Sequence, residues 1–153
     1  MACKAIGKEK EMLTIFVVED MEDLRELQER TLKRFDPRET TEDITIVSFS
    51  NGKECWDMLQ QPNREWEPNL VVTDIEMPEM DGIALITAIR EAGMTFPIIA
   101  TSGRFSADEE LEQSATKAGA TALLPKPFQP VDLKKLAKQL LEKSADNQAK
   151  PAP

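Results

Sequence analysis

An aspartate at the end of a short apolar run is the residue best placed to carry chemistry. Residues 70–73 lead directly into Asp74, and a loop punctuated by Pro78 and Gly82 follows. A short apolar run bounded by turn residues is typical of a buried strand of a parallel sheet. Open α/β folds bind their ligands at the carboxyl ends of such strands. The Asp74 carboxylate is therefore a candidate nucleophile, a candidate metal ligand, or simply the polar start of a loop.

Other polar side chains follow the remaining apolar runs in the same way. Glu19 and Asp20 follow the first run, Ser102 closely follows the fourth, and Lys126 follows the fifth. Right-handed crossovers place the carboxyl ends of parallel strands at one edge, so we expect these residues to lie beside Asp74. Three carboxylates alone would repel one another. A cluster of acids with one lysine and one hydroxyl therefore indicates a site for a hard cation such as Mg²⁺, which prefers oxygen ligands.

The elements that must position these residues alternate regularly along the chain. Apolar or β-branched runs predict five strands, at residues 14–18, 44–49, 70–74, 97–100 and 122–124. Amphipathic or capped segments predict five helices, at residues 23–35, 54–59, 81–91, 106–118 and 131–142. Five alternating strand and helix units predict an α/β fold with a doubly wound parallel sheet.

Two of these helices carry more detailed predictions. Leu24, Leu27, Leu32 and Phe35 recur at roughly helical spacing, which predicts the inward face of the first helix. Ser106, with a glutamate three residues later, resembles a capping box that begins the fourth helix.

Composition excludes several classes of function. The 153 residues suggest one domain with a sizeable core, and the net charge of −9 argues against general binding to nucleic acid or to an anionic membrane. The absence of histidine excludes histidine-based triads, HExxH zinc sites and phosphohistidine transfer modules. Cys3 and Cys55 match no metal or redox spacing, and residues 1–11 contain no signal-peptide core, so a cytoplasmic location is expected.

With these residues in place, the chain resembles the receiver domain of bacterial two-component response regulators. The resemblance spans about residues 13–141 and is carried by four motifs in the order and on the elements expected. They are Val17-Val18-Glu19-Asp20, Thr73-Asp74-Ile75-Glu76-Met77-Pro78-Glu79-Met80-Asp81-Gly82, Pro97-Ile98-Ile99-Ala100-Thr101-Ser102-Gly103 and Lys126-Pro127-Phe128. It implies a flavodoxin-like fold with strand order 2-1-3-4-5, and a flexible lead-in (1–11), a receiver domain (12–142) and a disordered tail (143–153).

The resemblance also implies a role for each site residue. Asp74 would accept a phosphoryl group from the phosphohistidine of a sensor histidine kinase or phosphotransfer protein. Lys126 and Ser102 would contact the phosphoryl oxygens, and the Lys126–Pro127 bond would be cis. Mg²⁺ would be held by Asp20, by Glu19 through a water, by Asp74, and by the backbone carbonyl of Glu76.

Four positions would modulate switching and phosphoryl lifetime. Gly103 leaves room for Ser102 to move, while Glu76 and Arg104 flank the site and could bridge over the phosphate. Leu123 stands where the family often carries an aromatic switch residue, and the chain has no tyrosine. An aromatic rotamer switch at that position is therefore not expected.

Three functions remain to be compared. The interpretation that we favour is a stand-alone receiver, not a classical enzyme, that signals by binding a downstream protein or by phosphorelay. The alternative is a pseudo-receiver that acts as an unphosphorylated scaffold, against which the intact acid set and Lys126 weigh. A phosphatase with an aspartate nucleophile requires a second acid followed by Thr or Val, and Glu76-Met77 does not match.

Overall fold

The structure is a computed structural model that describes residues 12–34 and 44–149. The predicted lead-in, Phe35 with residues 36–43, and the end of the predicted tail lie outside the described residues.

A five-stranded parallel sheet forms the centre of the molecule. Its strands are β1 (Leu13–Val18), β2 (Ile44–Phe49), β3 (Leu70–Asp74), β4 (Ile98–Ser102) and β5 (Ala122–Pro125). They are arranged in the order β2-β1-β3-β4-β5, which confirms the predicted flavodoxin-like topology. The helices are α1 (Glu22–Lys33), α2 (Gly52–Leu59), α3 (Gly82–Glu91), α4 (Glu109–Ala118) and α5 (Pro130–Ala149).

Two hydrophobic clusters fill the two faces of the sheet. One lies beneath α2, α3 and α4 and the other beneath α1 and α5. Successive strand residues alternate between them, so Val71 packs into the first cluster and Leu70 and Val72 into the second. Every residue of β1, β3 and β4 is buried. Burial on both faces explains why these strands are continuous apolar runs instead of alternating ones.

The predicted inward face of α1 is partly wrong. Leu32 is fully buried, but the Leu27 side chain is 45% exposed and Gln28 is buried in its place. Leu27 lies five residues from Leu32, which on a helix turning 100° per residue places the two side chains on different faces. Gln28 lies four residues from Leu32 and shares its face.

The predicted N-cap of α4 is also wrong. Asp108, not Ser106, caps this helix, and its Oδ1 accepts a hydrogen bond of 3.0 Å from the Leu111 N–H. The N–H groups of Ala107 and Asp108 both donate to the Arg104 carbonyl, so a turn precedes the helix. Ser106 lies within that turn and the helix begins only after it.

The last helix is longer than predicted. α5 continues to Ala149, so the predicted disordered tail does not begin at Lys143. Residues 143–149 contain neither glycine nor proline, and the first such stop signal is Pro151. None of the helices within residues 12–34 and 44–149 combines the length and the apolar character that a membrane span needs.

Candidate functional site

The strand register brings the predicted site residues to one edge of the sheet. Asp74 is paired with Thr101, so Ser102 lies one residue beyond it on the neighbouring strand. Ser102 is in turn paired with Pro125, and Lys126 follows. On the other side of β3, Val18 is paired with Thr73, so Glu19 and Asp20 extend past the end of β1. The expected convergence at the carboxyl edge is therefore present.

Three carboxylates form the centre of the site. Glu19, Asp20 and Asp74 each place one carboxylate oxygen within 4.8 Å of the other two. Glu19 is fully buried and Asp74 is 6% exposed, whereas Asp20 faces solvent. Burial raises the pKa of both Glu19 and Asp74, and the charge of Asp74 raises the pKa of Glu19 further. Oxygens at this spacing, held in a site that disfavours their negative charge, suit a hard divalent cation.

Lys126 supplies the positive charge nearest to these acids. Its Nζ lies 3.0 Å from Glu19 Oε2 and 3.3 Å from Asp74 Oδ1. The ammonium lowers the pKa of both carboxyls, although burial has the larger effect on each. The Lys126–Pro127 peptide bond is cis, as the resemblance implied. The lysine therefore lies against the proposed acceptor carboxylate with its charge inside the site.

Hydrogen bonds and close packing fix the backbone around Asp74. Its carbonyl accepts a hydrogen bond of 2.9 Å from Thr73 Oγ1. The Gly82 N–H donates to the Ile75 carbonyl at 2.8 Å. A Cβ at Gly82 would lie 2.3 Å from the Asp74 carbonyl oxygen, closer than non-bonded atoms approach. The close approach of α3 to the end of β3 therefore requires a glycine at this position.

A second glycine fixes the loop between β3 and α3. The Gly52 N–H donates to the Met80 carbonyl at 3.2 Å, and a Cβ at Gly52 would lie 2.5 Å from that oxygen. Asn51 caps α2, and its Oδ1 accepts from the Glu54 N–H at 2.9 Å. The Glu54 carboxylate in turn accepts hydrogen bonds from the N–H and the hydroxyl of Ser50, the residue before the cap. The start of α2 thereby anchors the loop that follows Asp74.

The Ser102 hydroxyl is buried and makes two hydrogen bonds. It donates to Glu76 Oε1 at 3.0 Å and accepts from the Arg104 N–H at 3.0 Å. The Arg104 guanidinium lies 2.6 Å from Asp108 Oδ2, so the anticipated bridge between Glu76 and Arg104 is not present in this structure. Glu76 uses its carboxylate on Ser102 instead.

The remaining two predicted modulators are Gly103 and Leu123. Gly103 is exposed, and a Cβ there would meet no atom within 4 Å. Leu123 is partly buried and packs against the cluster beneath α2, α3 and α4. Neither observation assigns a function to the residue.

Sequence reasoning missed two residues that shape the site. Phe105 lies in the loop after β4 and is fully buried in the same cluster that Leu123 contacts. Its signal was a single aromatic residue among polar neighbours. Thr73 was predicted as a strand and motif residue with no role of its own, and its hydrogen bond to the Asp74 carbonyl has no signature in the sequence.

The profile of the family described as "Response regulator receiver domain" matches residues 15–138. The chain belongs to this family. It is 36% identical over 129 residues to an uncharacterised 14.6 kDa protein of Leptolyngbya boryana, covering 83% of this chain and 88% of that one. It is 32% identical over 114 residues to the DNA-binding transcriptional regulator NtrC of Escherichia coli, covering 74% of this chain.

Solved structures share the receiver fold. The chemotaxis response regulator CheY4 of Vibrio cholerae matches with a TM-score of 0.71 and 23% identity, covering 85% of this chain and 99% of that one. NtrX of Brucella abortus matches with a TM-score of 0.74 and 24% identity, covering 90% of this chain and 28% of that one. At these identities the likeness describes the fold alone.

Family membership establishes the general role of the domain. A receiver domain is a signalling domain, not a classical enzyme; histidine kinases phosphorylate such domains, and they typically bind Mg²⁺ at an acidic pocket. The chain spans 22% of the length of NtrC and 52% of that of the response regulator Rre1 of Synechocystis. The activities of those longer proteins as wholes are therefore not established for this chain.

Proposed function

We propose that this chain is a stand-alone response regulator that accepts a phosphoryl group on Asp74 in a Mg²⁺-dependent reaction. The observation that carries the proposal is the position of the Asp74 carboxylate, at the end of β3, 3.3 Å from Lys126 Nζ and within the three-acid cluster. A receiver-sized relative supports the stand-alone form, since the match covers 88% of the Leptolyngbya protein.

The donor set supports a resident Mg²⁺. Glu19, Asp20 and Asp74 would hold the ion through carboxylate oxygens or intervening water, and the Glu76 backbone carbonyl would complete the protein ligands. When bound, the ion neutralises charge on the transferred phosphoryl group. Any cation also relieves the repulsion among three acids, two of which are desolvated.

Three residues of the site then have defined roles in the transfer. An Asp74 carboxylate oxygen forms the new bond to phosphorus, while the bond from phosphorus to the imidazole nitrogen of the donor breaks and the imidazole leaves with the electron pair. Lys126 presents an ammonium to a phosphoryl oxygen, and Ser102 presents a hydroxyl. Positioning and charge supply most of the catalysis in such a transfer.

The proposed partners follow from this reaction. A sensor histidine kinase or a phosphotransfer protein supplies the phosphohistidine, because this chain contains no histidine of its own. The phosphorylated chain then binds a downstream protein or passes the phosphoryl group on; neither nucleic acid nor membrane is a proposed partner. A cytoplasmic location accords with Cys55, which is a buried free thiol.

Acetyl phosphate and Mg²⁺ provide a direct test. Incubation should slow the migration of the wild-type protein on a phosphate-affinity gel, and Asp74→Asn should abolish the shift because an amide is not nucleophilic. Asp81→Asn is a matched control in the same motif. Asp81 Oδ1 caps α3 by accepting from the Ala84 N–H at 2.8 Å, and asparagine retains such an oxygen.

The outcomes separate the proposal from its alternative. A shift that persists at the wild-type rate in Asp74→Asn would mean that another residue is the acceptor. A wild-type protein that never shifts, although it folds, would favour the unphosphorylated scaffold.

A further inference from the structure

The Ser102 hydroxyl has one proton and therefore one hydrogen bond to donate. In this structure it donates to Glu76 Oε1 at 3.0 Å, while its oxygen accepts from the Arg104 N–H. Ser102 is fully buried, so water does not replace a lost acceptor freely. The hydroxyl is already committed before any phosphoryl group arrives.

The strand register places Ser102 beside the end of β3, and the proposed function has its hydroxyl contact a phosphoryl group on Asp74. Asp74 and Thr101 are register partners at the ends of neighbouring strands, and Ser102 is the next residue. A phosphoryl group on Asp74 would present acceptor oxygens to the same hydroxyl. Glu76 and the phosphoryl group would therefore compete for one proton, which can satisfy only one of them at a time.

We infer that Glu76 is a positioning residue that holds the Ser102 hydroxyl in the unphosphorylated protein and must release it for the phosphoryl group. This inference rests on the proposed function of Asp74. The exposed Glu76 carboxylate can exchange its bond with Ser102 for bonds with water. Glu76 thus disfavours the state in which Ser102 donates to the phosphoryl group. It does so by holding the hydroxyl as well as by its negative charge.

Beryllofluoride with Mg²⁺ mimics an aspartyl phosphate, and its affinity can be measured by titration calorimetry. Glu76→Ala keeps the backbone carbonyl but removes the competing acceptor, so the affinity should rise about 3- to 10-fold, the range expected for one hydrogen bond. Glu76→Gln keeps an acceptor without its charge and should give a smaller rise. Glu79→Gln, an exposed charge in the same loop, is the control for general electrostatics and should change the affinity less than twofold.

The decisive measurement repeats Glu76→Ala in a Ser102→Ala background. If Glu76 acts through the hydroxyl, most of the gain should vanish there, because the two residues are energetically coupled. An equal gain in both backgrounds would overturn the inference and leave only charge repulsion. No gain in either background would also overturn it.

A resting-state measurement gives a second, independent readout. The Arg104 amide, which donates to Ser102 Oγ, should shift in the NMR spectrum of unligated Glu76→Ala but not of Glu79→Gln. If the chemical shift of the Arg104 amide is the same in Glu76→Ala as in the wild type, the inference is overturned even if the affinity rises. Wild-type protein that binds no beryllofluoride would instead contradict the proposed function itself, and the competition would fall with it.

Discussion

Asp20 differs from the other two acids of the site in being exposed to solvent. Glu19 and Asp74 are buried and both contact Lys126, so the lysine already offsets part of their charge. Asp20 lacks an ion pair among the described residues of 12–34 and 44–149 and is free to bind a cation. Its replacement should therefore affect metal binding more than folding.

Asp20→Ala should remove most of the thermal stabilisation that Mg²⁺ gives the wild-type protein. A ligand that binds only the folded state raises the free energy of unfolding by mass action, and a weaker site raises it less. Differential scanning fluorimetry at matched ionic strength measures this rise in Tm. Asp23→Ala, an exposed acid in the first turn of α1, is a control with the same change in charge. Equal Mg²⁺ shifts in wild type and Asp20→Ala would refute the proposed ligand set.

The loop and helix that follow β4 form the element most directly tied to Ser102. The Arg104 N–H donates to Ser102 Oγ, and the Arg104 guanidinium pairs with Asp108, the N-cap of α4. The Leu111 N–H, more than any other contact, lowers the pKa of Asp108. Arg104 therefore connects the buried Ser102 hydroxyl with the start of α4.

Arg104→Ala should change the dephosphorylation rate modestly, by about severalfold. The guanidinium is proposed to swing from Asp108 to Glu76 over the phosphorylated site, where it would hinder entry of the hydrolytic water. The Arg104–Asp108 pair lies near the surface and the Glu76 carboxylate is exposed, and ion pairs in such positions contribute little. Loss of radiolabelled phosphate after removal of the donor gives the rate.

Arg30→Ala provides a comparison for this variant. Arg30 is also an exposed arginine in an i,i+4 pair, with Glu26 on α1. It should leave the rate unchanged. If Arg104→Ala and Arg30→Ala both decay like the wild type, Arg104 does not gate hydrolysis.

In the molecule as a whole, the site residues lie at one edge of the sheet, where the strands have their carboxyl ends. Ser102, the loop after β4 and α4 are connected by hydrogen bonds, and Phe105 anchors that loop in the core. Leu123 packs against the same cluster as Phe105. A change at Asp74 should therefore reach the surface through residues 103–110, without a rotamer switch at Leu123.

Amide chemical-shift mapping with Mg²⁺ and beryllofluoride tests this route. We expect large changes over residues 103–110 and smaller ones at Leu123, while Gly93 in the turn after α3 stays unchanged as an internal reference. A coupling of about 1–3 kcal/mol between site and surface would alter partner affinity roughly 5- to 150-fold. Changes restricted to Glu19, Asp20 and Asp74 would show that the chain does not switch by this route.

The sequence predicted those features that depend on strand order and burial. Parallel topology brings Glu19, Asp74 and Lys126 together, because each lies at the carboxyl end of a strand formed by an apolar run. Contacts that depend on side-chain rotamers in loops could not be predicted in this way. The bond between Ser102 and Glu76 and the cap at Asp108 both arise from the path of the chain after a strand ends, which tertiary packing decides.

Gly82 and Gly52 also bear on how such a protein can lose its signalling function during evolution. A Cβ at either position would collide with a backbone oxygen, of Asp74 in one case and of Met80 in the other. A single inherited change there leaves every acid, the lysine and the serine in the sequence, yet forces the acceptor strand or its loop to move. Loss of signalling in a lineage can therefore begin with the substitution of a glycine. A comparison of the acids, the lysine and the serine alone would not detect that change.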